Sequence, residues 1–296
     1  MELRLHLDQL LAVRGKLTIV GRQPDGDSIR FIADKRQTLL KLPHASRLRF
    51  AKDGSVQLRM DGIDAPETHF AGQAQPRGHE ARQAFLELVG FTHVTYDQAG
   101  TVSGSNPRTI DATVLINTLD PYGRPVAYLL RGFDDRIPDG HLFAVGADML
   151  AETVNVAMLE SGEAYITMYN SMPLVHRTVL QAAASKAKKA KKGVWAVDRT
   201  NSFTLTDLQS IGPASDALLL PKLFRRAVHY VQACEAGFVG SFPAWIKGSS
   251  AQAYHSEDDY IIRASGKTEA LHTVVHQDSD TITTDIDPLT DVFIEQ

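Results

Sequence analysis

The amino-acid sequence predicts an α+β fold, because strand-like and helix-like segments follow one another along the same chain. The clearest strand, residues 56–60, alternates apolar and polar side chains, which is typical of a half-buried strand. The clearest helix, residues 78–89, carries its apolar residues on one face. A second amphipathic helix is predicted over residues 216–236, far downstream.

The remaining elements are assigned from short apolar runs and from their boundary residues. Asp148 is placed as the N-cap of a helix over residues 149–161, and Gly162 as its end. Pro173 opens a long helix that extends to about residue 192. Further strands are predicted at residues 16–21, 28–33, 47–50, 92–96, 113–116 and 126–130.

Composition favours an ordinary soluble globular chain. The 296 residues are 43% hydrophobic and 22% charged, which fits one large domain or one domain with an extension. No apolar run is long enough to span a membrane, and the first twenty residues lack the apolar core of a secretory signal. We therefore expect a cytoplasmic location by default, with export by another route left open, and no membrane partner.

Charge is distributed unevenly along the chain. The formal net charge is −4, but residues 201–296 contain six Lys and Arg against thirteen Asp and Glu. The preceding residues are therefore slightly basic. This part of the chain is the better candidate for binding a polyanion.

The strand at residues 56–60 leads into a segment rich in chemically active side chains. Arg59 faces away from the core, and Asp64 and Glu67 flank Pro66 just beyond the strand. Two carboxylates and a guanidinium can thus be held on one scaffold. A solvated turn is the alternative interpretation of this pattern.

Five sequence blocks in order resemble the staphylococcal nuclease (thermonuclease) family. The blocks are D-G-D-S at 25–28, L-R-M-D-G-I-D-A-P-E-T at 58–68, Y-G-R at 122–124, V-N-V-A-M-L-E-S-G at 154–162 and G-V-W at 193–195. The resemblance covers residues 15–197. It implies a five-stranded OB-fold-like β-barrel with flanking helices, followed at 198–296 by a C-terminal extension of mixed or partly irregular structure and unknown function.

The resemblance also implies a calcium site. The carboxylates of Asp27 and Asp64 and the backbone carbonyl of Ala65 correspond to the family's metal ligands. Oxygen donors of this kind suit Ca²⁺.

The resemblance assigns the other site residues as well. Arg59 and Arg124 match the family's phosphate-binding arginines, and Glu67 matches the carboxylate assigned as general base. Tyr122 and Tyr169 are placed where aromatic side chains approach the bound nucleotide, although either could equally pack within the barrel.

These assignments imply a Ca²⁺-dependent phosphodiesterase or endonuclease that acts on DNA and RNA. By resemblance it prefers single strands, has little sugar or sequence specificity and leaves 3′-phosphates. Two alternatives stay open: a noncatalytic nucleic-acid-binding module, and a nuclease autoinhibited by its acidic tail. The extension itself could pack on the barrel, mask the groove or stay partly disordered.

Overall fold

The computed structural model describes residues 9–248 and 257–295. Through these residues the strands β1 to β17 run, in chain order, over Gln9–Thr18, Ser28–Ala33, Val56–Met60, Ile63–Asp64, Thr92–Tyr96, Val102–Asn106, Thr109–Leu119, Pro125–Arg131, Leu142–Ala144, Tyr165–Ile166, Met168–Tyr169, Ser202–Thr204, Tyr260–Ile262, Thr268–Ala270, Val275–Asp278, Thr281–Thr284 and Val292–Phe293. The helices α1 to α8 run over Arg36–Leu39, Gly78–Val89, Ala147–Ala151, Val154–Ser161, Leu174–Lys189, Val194–Val197, Pro221–Glu235 and Phe242–Lys247. None of the helices in these two ranges is long and apolar enough to cross a membrane.

Five strands close into a barrel, as the family resemblance implies. The strands follow the order β2, β3, β8, β7 and β1, and β1 pairs again with β2 to complete the ring. The β3–β8 pair is parallel and the other pairs are antiparallel. Strand β9 adds to β1 beside the ring. The predicted α+β fold with a five-stranded barrel and flanking helices is confirmed.

Strand β1 differs most from its prediction. It was expected at residues 16–21 but spans Gln9–Thr18. Its residues Leu10, Leu11, Ala12 and Val13 are all buried, so both faces of the strand are covered there. A strand that is buried on both faces has no alternating pattern, which explains why its first half was missed.

Two local predictions are wrong. The strand expected at residues 47–50 is absent, and the 3-10 turn Ala45–Arg47 precedes irregular chain at this place. The helix expected at residues 149–161 is divided into α3 and α4. Thr153 caps α4 by accepting a hydrogen bond from the Val156 N–H at 3.3 Å, whereas Asp148 lies inside the first turn of α3.

The helix α2 and the strand β3 have the predicted positions, since each buries one face and exposes the other. Helix α5 begins directly after Pro173, as expected. Helix α7 begins at Pro221 rather than near residue 216. Proline is suited to the first helical turn because its missing N–H has no helical partner there.

The described part of the extension packs on the barrel. Strand β17 pairs in parallel with β11, and β12, β16 and β15 form a separate sheet. Helix α7 buries Leu223, Phe224, Ala227, Val228 and Val231 almost completely. Burial of each large side chain of this kind contributes about 1.5–3 kcal/mol. Helix α7 is therefore a fixed part of the fold, while the boundary placed at residue 197 stays a prediction.

Candidate active site

Strand pairing brings the two predicted metal-binding aspartates to one end of the barrel. Ser28 pairs with Arg59 between β2 and β3, and the Met60 N–H donates to the Asp27 carbonyl at 2.8 Å. Asp64 ends β4, which follows β3 directly. A Cβ atom at Gly26 would lie 2.7 Å from the Cβ of Ala65. Glycine is therefore needed for the loop that carries Asp27 to reach the Asp64 segment.

Arg59 lies beside both aspartates. Its Nη2 is 3.7 Å from Oδ1 of Asp64, and its side chain is 20% exposed. Burial opposes the charge on Arg59, but Asp27 and Asp64 raise its pKa above the ordinary value. The guanidinium is thus held in the charged form that a phosphate requires.

A second guanidinium, from the extension, lies among the same carboxylates. Arg225 of α7 donates from Nη1 to Glu67 Oε1 at 2.5 Å and from Nη2 to Asp64 Oδ2 at 3.0 Å. Both of its terminal nitrogens also contact Asp64 Oδ1, at 3.2 and 3.3 Å. Arg225 therefore bridges the predicted metal ligand and the predicted general base.

These charges set the protonation of the group. Burial acts to raise the pKa of Asp64, but Arg225 and Arg59 keep it below its ordinary value. Burial raises the pKa of Asp27 to about 6, although Arg59 acts in the opposite direction. Burial, together with the nearby charges of Asp25, Asp27 and Asp64, raises the pKa of Glu67 to about 8, although Arg225 acts in the opposite direction. Both arginines thus act to lower the pKa of Asp27 and Asp64, and Arg225 acts to lower that of Glu67, which favours the ionised carboxylates.

The loop that carries Glu67 is fixed by Gln75. The Glu67 N–H donates to Gln75 Oε1 at 3.1 Å, and the Gln75 N–H donates to the Glu67 carbonyl at 2.9 Å. The Gln75 side chain also donates to the carbonyl of Leu219 at 2.8 Å. One buried amide thus joins this loop to the residues just before α7.

Arg124 has different neighbours from Arg59. Its Nε donates to Asp120 Oδ2 at 2.6 Å, and its guanidinium lies 5.6 Å from the ring centre of Tyr122. Asp120 also accepts from the N–H groups of Tyr122 and Arg124, which fixes the turn between β7 and β8. The contacts of Arg124 are therefore with this turn and not with the carboxylate group.

A cavity of about 490 Å³ lies next to Arg59, between the barrel and the extension. Tyr122 and Tyr169 line it from the barrel side, and Lys222 and Arg226 of α7 line it from the other side. The Tyr122 side chain is 73% exposed. The Lys222 ammonium lies 5.2 Å from the ring centre of Tyr169. Both predicted nucleotide-binding tyrosines thus face one space together with Arg59.

The implied calcium ion does not fit the arrangement as it stands. Carboxylate oxygens are suitable ligands, but those of Asp64 and Glu67 already accept hydrogen bonds from Arg225. Ala65, the third predicted ligand, is buried next to Asp64. Among residues 9–248 and 257–295, no group of three or more His, Cys, Asp or Glu side chains is arranged to hold a metal ion.

Two residues of this site were not predicted as site residues. Asp25 precedes Asp27 in the D-G-D-S block and acts on the pKa of Asp27 and Glu67. The D-G-D-S block that contains Asp25 was recognised, but only Asp27 was predicted from it as a site residue. Arg225 lies beside Arg226 on a helix that was predicted. Which residues the Arg225 side chain contacts depends on how that helix docks.

Comparison with known proteins matches the part of the chain that contains Arg59, Asp64 and Glu67. Residues 57–197, from β3 to α6, match the family described as staphylococcal nuclease homologue. The chain is 26% identical over 194 residues to a probable endonuclease LCL3 of Komagataella phaffii, which covers 63% of this chain and 71% of that protein. It is 38% identical over 96 residues to a probable endonuclease LCL3 of Clavispora lusitaniae, covering 30% of this chain and 39% of that protein. Residues 57–197 therefore match the staphylococcal nuclease homologue family, and this range contains Arg59, Asp64 and Glu67.

Proposed function

We propose that the chain is a nuclease that hydrolyses phosphodiester bonds in nucleic acids. The observation that supports this function most directly is that Arg59, Asp27, Asp64 and Glu67 lie together at one end of the barrel. A cavity lined by Arg59 and two tyrosines lies next to them. The family match and the two relatives named probable endonucleases support a nucleic-acid hydrolase.

In this proposal Arg59 binds the phosphate that is attacked. Its guanidinium lines the cavity, is partly exposed and is kept charged by two aspartates. A planar guanidinium can donate two parallel hydrogen bonds to phosphate oxygens. It also stabilises the negative charge that grows on the phosphoryl group in the transition state. Arg124 is the second candidate for this role. Its guanidinium must release Asp120 before it can bind the phosphate.

Glu67 is the proposed general base toward the attacking water. A base must have a free oxygen within hydrogen-bonding distance of that water. In the structure Glu67 Oε1 accepts a hydrogen bond from Arg225. The reaction in this proposal therefore requires Arg225 to leave Glu67 or to share it with the water.

The two tyrosines are proposed to stack on bases. Tyr122 is largely exposed and Tyr169 is partly buried at the same cavity. Stacking on an aromatic ring contributes about 1–3 kcal/mol per base and does not distinguish one base from another. A base must leave its duplex partner to stack in this way. These features support the proposed preference for single strands and the low sequence specificity.

The finer chemical details rest on the family resemblance alone. They include the 3′-phosphate products, the use of both DNA and RNA, and the calcium requirement. Calcium dependence stays a prediction for a state in which Arg225 no longer occupies the carboxylates. The cytoplasmic location likewise stays a prediction.

The test is hydrolysis of single-stranded DNA and RNA by the full chain and by Arg225→Gln, with Ca²⁺, with Mg²⁺ and with chelator. We expect cleavage, and adding Glu67→Gln to the form of the chain that cleaves should lower the rate about 100- to 10,000-fold. Glu87→Gln, an exposed glutamate on α2, is the matched control and should leave the rate unchanged. Salt-sensitive binding without cleavage, in every variant and condition, would instead indicate a noncatalytic binding module.

A further inference from the structure

We propose that Arg225 is the resident cation of this carboxylate group and that it excludes a divalent metal ion while α7 is docked. The proposal concerns binding. It rests on the proposed nuclease function only for its consequence, which is that metal-dependent cleavage would be suppressed in this form of the chain.

Arg225 contacts both oxygens of Asp64 and Oε1 of Glu67, at distances between 2.5 and 3.3 Å. Ca²⁺ binds oxygen ligands at about 2.3 to 2.6 Å and needs six to eight of them. The Asp64 side chain is 0% exposed, so its oxygens cannot turn toward a different partner in solvent. An ion on these oxygens would occupy the place of the guanidinium.

A guanidinium stays charged at every pH at which a protein is folded. A divalent cation placed beside it would meet a like charge in a partly buried setting, where screening by water is weak. The two cations are therefore alternatives at this place, and a change of pH does not remove Arg225 by deprotonation.

Lys222 and Arg226, on either side of Arg225 in α7, both pair with Asp259 at 2.9 Å. Residues on the opposite face of α7 lie in the core, and Gln232 reaches the carbonyl of Ala71 at 3.3 Å. The backbone position of Arg225 is thus maintained by a packed helix, which keeps the guanidinium within reach of the carboxylates.

The contact of Arg225 with the carboxylates differs from autoinhibition by an acidic tail, which the sequence left open as an alternative. The extension is acidic overall, and masking of the groove by an acidic tail was one of the alternatives. The extension residue that contacts Asp64 and Glu67 is the basic Arg225, while Lys222, Arg226, Asp259 and Glu295 line the neighbouring cavity. An internal cation that competes with a metal ion differs physically from an acidic segment that competes with nucleic acid.

The test measures the melting temperature of the full chain and of Arg225→Gln, first in chelator and then with millimolar Ca²⁺. In chelator Arg225→Gln should melt lower, because Asp64 and Glu67 lose their counter-ion. Calcium should raise the melting temperature of Arg225→Gln by several degrees and leave the unmodified chain unchanged, because only a ligand that binds the folded state stabilises it. Calorimetry should give at least about tenfold tighter calcium binding by the variant.

Two controls identify the site. Arg226→Gln removes a neighbouring charge from the same helix but does not touch Asp64 or Glu67, so calcium should not restore its stability. Adding Glu67→Gln to Arg225→Gln should abolish most of the calcium response. A response that persists in this double variant would place the calcium elsewhere and overturn the proposal.

The unmodified chain gives an independent answer if Arg225→Gln does not fold. Calcium binding by the unmodified chain that is lost in Asp64→Asn would show that metal and Arg225 coexist, and would overturn the proposal. Arg225→Lys keeps the positive charge but loses the paired N–H donors of the guanidinium. Absence of calcium binding by the unmodified chain, together with weak binding by Arg225→Lys, would support the proposal. None of these measurements depends on cleavage, so a failure of the proposed function is seen separately.

Discussion

The barrel and the extension each contribute to the site charges that are opposite in sign to their own net charge. The barrel part is slightly basic overall, yet it supplies Asp25, Asp27, Asp64 and Glu67. The extension is strongly acidic, yet it supplies Arg225 to those carboxylates. One of its acidic residues, Asp259, pairs within the extension with Lys222. The net charge of a segment therefore does not give the charge that it presents to a neighbour.

The largest expected effect tests whether the two regions form one folding unit. Phe224→Ala empties a fully buried position on α7 and should lower the free energy of unfolding by about 3–5 kcal/mol. Urea unfolding followed by two probes should show one shared transition. Leu174→Ala, at a residue 76% exposed, should change little. Two separate transitions, of which Phe224→Ala shifts only the one that reports on the extension, would mean that the extension folds independently of the barrel.

The next effect sharpens the role of the barrel in hydrolysis. Arg59→Lys keeps the charge but loses the paired donors, and should lower kcat/KM about 100- to 1000-fold if Arg59 binds the reacting phosphate. Arg108→Lys, at an exposed residue remote from the cavity lining, is the control. Equal rates for the two variants would remove Arg59 from the mechanism.

A smaller effect concerns the ion pairs that anchor α7. Asp259→Asn leaves Lys222 and Arg226 without their common carboxylate and should cost about 2 kcal/mol at neutral pH, since hydrogen bonds to charged groups contribute about that much. Burial acts to raise the pKa of Asp259, but Lys222 and Arg226 hold it below its ordinary value. The stabilisation is therefore fully present above the unfolded pKa of about 4 and is lost as the pH falls through the lower folded pKa. The difference in melting temperature between the two proteins should shrink below about pH 4, and a difference that is constant with pH would contradict this assignment.

The smallest expected effect separates substrate binding from chemistry. Tyr122→Ala removes an exposed ring at the cavity and should raise KM about tenfold while kcat changes little, because stacking contributes similarly before and during reaction. Tyr122→Phe should restore most of the affinity. An equal loss in both variants would indicate that the hydroxyl, and not the ring face, is used.

Much of the fold could be predicted because its elements bury one face. Strand β3 alternates buried and half-buried residues, and α2 buries one side, so the sequence pattern repeats the geometry. Strand β1 lost this signal where both faces are covered. The cap of α4 was missed because Asp148 and Thr153 are both good N-cap residues, and only the break between α3 and α4 selects Thr153.

The part of the candidate site that could be predicted consists of residues that lie close together in sequence or within the ordered motifs. Arg59, Asp64 and Glu67 are carried by consecutive elements, so their proximity follows from local geometry. Arg225 lies far downstream, and its approach depends on the docking of α7. Arg225 and Arg226 are adjacent in sequence, yet one reaches Asp64 and the other Asp259. No pattern within the helix distinguishes them.

The pairing of β11 with β17 has a consequence for biosynthesis. Tyr169, a wall of the cavity, lies on β11 and pairs with Phe293 far downstream. During translation the earlier strands leave the ribosome well before β17 does, and contacts between distant residues form last. A nascent chain therefore presents the barrel carboxylates before Arg225 and the far wall of the cavity have been made. The finished surface comes into existence only when synthesis has passed Phe293.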